Sequence, residues 1–410
     1  MGPGPLQQPL ALDASFQNYA WGDRHFIPDL FRFRATGTPF AEAWFGAHPL
    51  LPSALHIEGA REALDRALAA RQVELLGPEV AHAFGELPFL VKVLAADRPL
   101  SIQVHPSRAQ AALGFQREEA RGLPLDAPDR NYRDKNHKPE LLVALTPFFA
   151  LAGFRPAAEV RSLLGTAPEL AALLPSLDEP AVSLRALTQA YLQLDPSVRG
   201  PALSAWIRRL RTESSARGTN DWQHWALAAD DVTRDAGDPD AGLFFFLLLN
   251  FVELAPRQGL FLADGVPHAY LTGAGVEVMA TSDNVLRCGL TQKHTDSEEL
   301  MSIVRFDASV PRVLDPRPLD VGRRRTFETP AAEFQLQLFD FAPGDRVVHS
   351  TSGPEIVLVA NRGGRLTVSS EGAARLLREG GQACLVPHGV SYTLEAVQET
   401  TAIRVSVPHA

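Results

Sequence analysis

Cysteine is nearly absent from this chain: Cys288 and Cys384 are the only two in 410 residues. The number allows one disulfide, but so sparse a supply excludes a disulfide scaffold and points to a reducing compartment. Neither thiol belongs to a C-x-x-C pair. Long hydrophobic runs are also missing. The longest, Ala241 to Leu249, ends at Asn250, far short of the roughly 18 to 20 residues that span a bilayer. The opening Met1-Gly-Pro-Gly-Pro has neither the basic start nor the apolar stretch of a secretory signal, so a cytoplasmic protein is expected. Positive charge is not in excess. The net charge is −9 and the one arginine run, Arg323 to Arg325, is short enough to be a solvated linker face. Nucleic acid and anionic membrane are therefore not expected partners, although local basic clusters remain free to bind phosphate. No G-x-x-x-x-G-K-[ST] occurs, and Gly273-Ala274-Gly275 is too short for a dinucleotide fingerprint, so no nucleotide-binding module is expected.

What is present is a globular balance, 45% hydrophobic and 21% charged, with material for two or three domains. Residues 1 to 153 read as strands and turns, with an irregular insertion at about 108–136 whose first part, Ala109 to Ala120, is predicted helical. From 154 to 247 apolar residues recur at helical spacing, as in Leu184, Leu187, Tyr191, Leu194 and again in Leu203, Ile207, Leu210. Pro168, Pro175, Pro180, Pro196 and Pro201 punctuate that stretch. Strand texture returns over 248–320 and continues over 321–410. Gly259 to Tyr270 and Gly381 to Tyr392 share a glycine turn, an apolar strand and a Pro-His turn before an aromatic. The expected fold is mainly β, two related jelly rolls with a helical domain inserted.

The chemistry concentrates on Pro99 to Pro106. Leu100, Ile102 and Val104 fall on one face of a strand and Ser101, Gln103 and His105 on the other. Gln103 and His105, two apart on one face, can share a metal ion. Glu140 opens the apolar strand after Asn136-His137-Lys138-Pro139, and His268 follows Gly265-Val266-Pro267 at a strand end. Two imidazoles, one carboxylate and an amide oxygen suit zinc with a position left for substrate. Spacing alone would not select these among 12 histidines; their combination is the stronger signal.

Longer motifs surround these residues. Pro99-Leu-Ser-Ile-Gln-Val-His-Pro106, Tyr132-Arg-Asp-Lys-Asn-His-Lys-Pro-Glu140, Pro267-His-Ala-Tyr270 and Val276 to Lys293 closely resemble the type I mannose-6-phosphate isomerase family. So do Gln17-Asn-Tyr-Ala-Trp-Gly22 and Ala41-Glu-Ala-Trp-Phe-Gly-Ala-His-Pro49. The likeness covers most of residues 10 to 300. It implies a cupin-type catalytic unit (1–153 and 248–320), a helical domain (154–247) and a cupin-like C-terminal jelly roll (321–410), which carries no second Q-x-H and is expected to be metal-free. It also implies one zinc per chain, held by Gln103, His105, Glu140 and His268, and interconversion of mannose 6-phosphate and fructose 6-phosphate through a cis-enediol. The family's catalytic arginine falls on Arg287. Cys288, Gln292 and His294 depart from the family's usual residues and flank the core motif without breaking it.

Aldose–ketose isomerisation needs a base to move a proton between C2 and C1 and an electrophile for the oxyanion. Lys138, two residues before Glu140, and Glu277, between Val276 and Val278, are equal candidates for the base; Asp283 is a candidate to orient Arg287. Arg287 would stabilise enediolate charge or clamp phosphate. Ser101, Lys92 and Lys293 are candidate phosphate contacts. Trp21, Glu42 and Tyr270 match pocket positions of the family. The expected partner is a small sugar phosphate, and the protein is expected to be a monomer.

Overall fold

The computed structural model describes residues 4–408 except 180–181, 214–217, 235–236, 312, 320–323 and 378. Pro180, Arg323 and the boundary at 320/321 lie outside the described residues, as do Met1, Gly2 and Pro3.

One long strand, His268–Ala280, organises the catalytic end. Over Gly273 to Ala280 it runs antiparallel to Phe89–Ala96, and on its other side to Glu140–Ala144. Its first residues instead pair with Phe148–Phe154, and His268 pairs with Gln103 of Ile102–Val104. The strand thus serves two parts of an eleven-stranded sheet. The change of partner needs Gly273. Its φ is +120, and a Cβ there would lie 2.7 Å from the Phe148 ring and from the Pro147 carbonyl, so only glycine fits.

Strand alternation separates core from cavity. Val91 and Val93 pack in one buried core with Val276, Val278, Ala43 and Phe45. Leu90, Lys92, Leu94, Glu42, Trp44, Glu277 and Met279 take the opposite face and line a cavity. Burial of each valine or leucine in the core contributes roughly 1.5–3 kcal/mol, and this is what holds the polar partners of the alternate face in place.

The helical texture is realised in Leu184–Leu192, Pro196–Glu213 and Trp222–Thr233, among others. Leu184, Leu187, Tyr191, Leu203, Ile207 and Leu210 are buried, as the spacing requires; Leu194 packs only partly. The expected helix in the insertion spans Arg108–Ala120 and starts at a capping box made by Ser107 and Gln110. The apolar run at Ala241 forms a 3-10 turn, a short helix and the strand Leu249–Leu254. It is core, and among the described residues no helix is long and apolar enough to cross a membrane.

The C-terminal strands build the second jelly roll from one four-stranded sheet and part of a nine-stranded sheet. Leu10–Asp13 and Ala54–Ile57 join that nine-stranded sheet, with Leu10 opposite Leu385 and Leu12 opposite Leu55. The two segments that resemble each other both form strand–turn–strand units, with strands starting at Gly259 and His268 in one and at Ala383 and Ser391 in the other. Cys288 and Cys384 are both free and buried.

Candidate active site

Three strands meet at the cavity floor. Gln103 lies opposite both His268 and Arg287, so three residues from distant segments share one rung. His105 follows directly, and its Nδ1–H donates to the Asn284 carbonyl at 2.7 Å. His268 donates its Nδ1–H to the Val266 carbonyl at 3.0 Å. These bonds assign the tautomers: each Nε2 carries a lone pair. Both lone pairs face one carboxylate, with His105 Nε2 at 3.3 Å from Glu140 Oε1 and His268 Nε2 at 3.4 Å from Glu140 Oε2.

That arrangement has no proton to share. Burial dominates at His105 and pushes its pKa down to about 4, despite the pull of Glu140, so the ring is neutral. Burial would raise the Glu140 carboxyl, but the neighbouring His105, Lys138 and His268 hold it well below the usual carboxylate range. His105 Nε2 is buried without a hydrogen-bond partner. Three acceptor atoms from His105, Glu140 and His268 lie within 4.8 Å of one another. Only a cation satisfies them together, and an N, N, O donor set with a neighbouring amide from Gln103 fits zinc. Gln103 lines the same cavity, of about 570 Å³, as do Glu140 and His268.

Above the floor stands a buried charge triad. Lys92 Nζ lies 3.0 Å from Glu277 Oε2 and 3.4 Å from Glu42 Oε1. Lys92 and Glu277 are direct cross-strand partners, so the sheet register sets their contact. Trp44 Nε1–H donates to Glu42 at 2.9 Å, and the Tyr270 hydroxyl donates to Glu277 at 2.8 Å. Burial would lower the Lys92 ammonium, but the two carboxylates reverse this and keep it charged. For Glu277 burial wins over Lys92, and its carboxyl is raised. Lys138 Nζ lies 3.4 Å from Glu140 Oε1, beside the donor cluster.

The remaining predicted residues line the rest of the wall. Ser101, Arg287 and Lys293 border the cavity, as does Trp21, which stacks on Tyr19 at 5.7 Å between ring centroids. Among the described residues no carboxylate forms an ion pair with Arg287 or Lys293. Burial and then Arg133 depress the Arg287 guanidinium; burial, Arg287 and Arg133 depress the Lys293 ammonium. Asp283 turns to His48, at 3.1 Å from Nε2, and not to Arg287. Burial is the largest single influence and would raise its carboxyl, but that hydrogen bond together with the nearby His48, Lys138 and Arg133 outweighs burial and lowers it.

Sequence reasoning did not assign His48, Asp134, Asn284 or Thr291. All four sit inside motifs already singled out. Asn284 Nδ2 donates to the Asp134 carbonyl at 2.9 Å, and Asn284 Oδ1 accepts from Arg133 N at 2.7 Å. The two long motifs therefore bind each other, which their separation in the chain conceals. Thr291, with Val232 and Thr233 of the helix Trp222–Thr233, also borders the cavity; nothing in the local pattern marks Val232 or Thr233.

Comparison with known proteins agrees with this geometry. Residues 10–157 match the family model for the catalytic domain of type I phosphomannose isomerase. The chain is similar to mannose-6-phosphate isomerase of Escherichia coli (strain K12), 40% identical over 344 residues, covering 82% of this chain and 85% of that one. It is 32% identical to mannose-6-phosphate isomerase 1 of Arabidopsis thaliana over 383 residues, 88% of this chain and 85% of that one. Its structure superposes on the crystal structure of mannose 6-phosphate isomerase from Salmonella typhimurium bound to substrate (fructose 6-phosphate) and zinc. There the TM-score is 0.85 at 33% identity, covering 97% of this chain and 99% of that one. The chain belongs to the type I phosphomannose isomerase family.

Proposed function

We propose that this protein is a zinc-dependent mannose-6-phosphate isomerase, interconverting D-mannose 6-phosphate and D-fructose 6-phosphate through a cis-enediol. The observation that carries this reading is the proton-free convergence of His105, Glu140 and His268 at the floor of a cavity. When bound by these three with Gln103, zinc supplies a Lewis acid for the sugar oxygens.

The chain's own groups account for the rest. Glu277 takes the C2 proton of the open-chain aldose and returns it at C1. Its raised carboxyl suits a group that must hold a proton between the two transfers. Lys92 stays charged and fixes one Glu277 oxygen while the Tyr270 hydroxyl fixes the other. Lys138 is the competing base, and its place beside Glu140 also suits it to protonate a substrate oxygen. Arg287 stabilises enediolate charge. With Lys293 it forms an uncompensated cationic wall for the phosphate dianion, which Ser101 reaches from the strand face. Asp283 with His48, and Glu42 and Trp21, border the sugar.

We assign catalysis to residues 1–153 with 248–320, place the enzyme in the cytoplasm, where its two free buried thiols are stable, and expect a monomer. The test is a coupled assay with mannose 6-phosphate before and after chelation. Turnover should vanish with the metal and return with zinc. Full activity in metal-free protein would refute the mechanism, and a sedimenting dimer would refute the monomer.

A further inference from the structure

We propose that Asp240, in the helical region and not itself a pocket residue, is a positioning residue that sets the phosphate-side wall of the cavity. This deepens the isomerase reading and rests on it.

The wall is made by Leu290 to Lys293, directly after the strand Leu286–Gly289 that carries Arg287. Among the described residues this segment has no strand partner of its own. It is held instead by one carboxylate. Asp240 Oδ1 accepts from Leu290 N at 2.7 Å and Oδ2 from Thr291 N at 3.2 Å. The same Oδ1 accepts from Gly242 N at 2.6 Å, capping the turn Ala241–Phe244. One side chain therefore ties the helical region to the loop through three backbone N–H groups.

The backbone is shaped for this clasp. Leu290 has φ +55, a left-handed conformation that leucine seldom adopts, and its side chain is buried in the helical core. Gly289 has φ +146, and a Cβ on it would lie 2.4 Å from the Gly242 Cα. A Cβ on Gly242 would lie 2.5 Å from Leu290 N. The two glycines let the main chains touch, and Asp240 bridges them. A second tie, from Gln292 Nε2 to the Thr233 carbonyl at 3.3 Å, continues the seam. Beyond it, the Thr291 hydroxyl accepts from Lys293 N at 3.1 Å, and Lys293 lines the cavity together with Arg287. Two cations that repel each other stay near one another only if the backbone holding them is restrained, and Asp240 is that restraint.

The experiment compares Asp240→Ala and Asp240→Asn by steady-state kinetics, zinc content and competitive inhibition by inorganic phosphate. Asp240→Ala should raise KM for mannose 6-phosphate and the inhibition constant for phosphate about tenfold, with kcat within about threefold and zinc retained. Asp240→Asn keeps an acceptor oxygen for Leu290 and Gly242 and should recover most of the affinity. Unchanged KM and phosphate inhibition in Asp240→Ala, even with lowered thermal stability, would overturn the proposal, as would loss of kcat alone. If the parent enzyme fails to turn over mannose 6-phosphate, the isomerase reading fails. Calorimetric titration of inorganic phosphate into parent and variants then still decides the clasp: equal affinity refutes it.

Discussion

The Nδ1–H of His105 donates to the backbone carbonyl of Asn284 at 2.7 Å. This bond joins a strand near residue 100 to a loop near residue 284 and leaves Nε2 as a lone pair for a metal. The Asn284 side chain is in turn held by the main chain of Arg133, Asp134 and Asn136.

Asn284→Ala should therefore loosen the carbonyl that orients His105. Supporting groups of this kind are worth about 10- to 100-fold in metal affinity. Competition with a chelator of known affinity measures it, with the protein's melting curve as control for folding. Retained zinc affinity would show that the backbone alone holds the carbonyl in place.

Arg287 borders the cavity and has no carboxylate partner among the described residues, so its removal strands no buried anion. Arg287→Ala is expected to lower kcat by about 100- to 1000-fold. The unfolding midpoint should change little, because the mechanisms that give large destabilisation are absent. A variant that unfolds readily would instead place Arg287 in the structural framework.

The base can be identified by exchange. Glu277→Gln keeps shape and the contact with Tyr270 but cannot accept the C2 proton. Solvent deuterium should no longer appear in recovered mannose 6-phosphate, while Lys138→Ala should still exchange. The reverse pattern assigns the base to Lys138.

Among the described residues Lys92 is the sole cation in contact with both Glu42 and Glu277. Lys92→Met leaves two carboxylates buried without it, a loss that costs about 3–5 kcal/mol when one partner of a buried pair is removed. Urea denaturation should show it, and Lys92→Arg should recover part of the loss.

His137 sits between Asp264, at 3.3 Å from Nδ1, and Glu333, at 2.8 Å from Nε2. Burial opposes its charge, but these two carboxylates win and raise its pKa to about 9. A raised folded-state pKa means stability that is fully present below the unfolded value near 6.5 and is lost as pH rises through about 9. Glu333 is lowered, so its share is present above about 4.5 and fades as pH falls. The cluster is strongest between these limits. Going from pH 6 to pH 9.5 should cost on the order of 2–3 kcal/mol of unfolding free energy in the parent. His137→Gln should be less stable at pH 6 and should lack most of that slope.

Much of the site was legible along the chain because its signals are local. Alternation from Leu100 to Val104 put Gln103 and His105 on one face, and Val276 and Val278 turned Glu277 away from the core. The helical stretch was readable from its 3-4 spacing for the same reason: period is a property of neighbouring residues. Lys92, inside the apolar strand Phe89-Leu-Val-Lys-Val-Leu94, is placed near the pocket by the family resemblance and not by local pattern.

Partners are another matter. An apolar strand can pair with any other apolar strand, so nothing local says that Leu10 lies against Leu385, that Lys92 faces Glu277, or that Gln103 lies between His268 and Arg287. Nor does local pattern turn Asp283 to His48, set the tautomers of His105 and His268, or lay Asp240 across Leu290 and Thr291. By itself the sequence determined which residues could do the chemistry and which face each takes. The tertiary structure alone decided which of them meet, because register and loop contacts depend on packing between segments far apart in the chain.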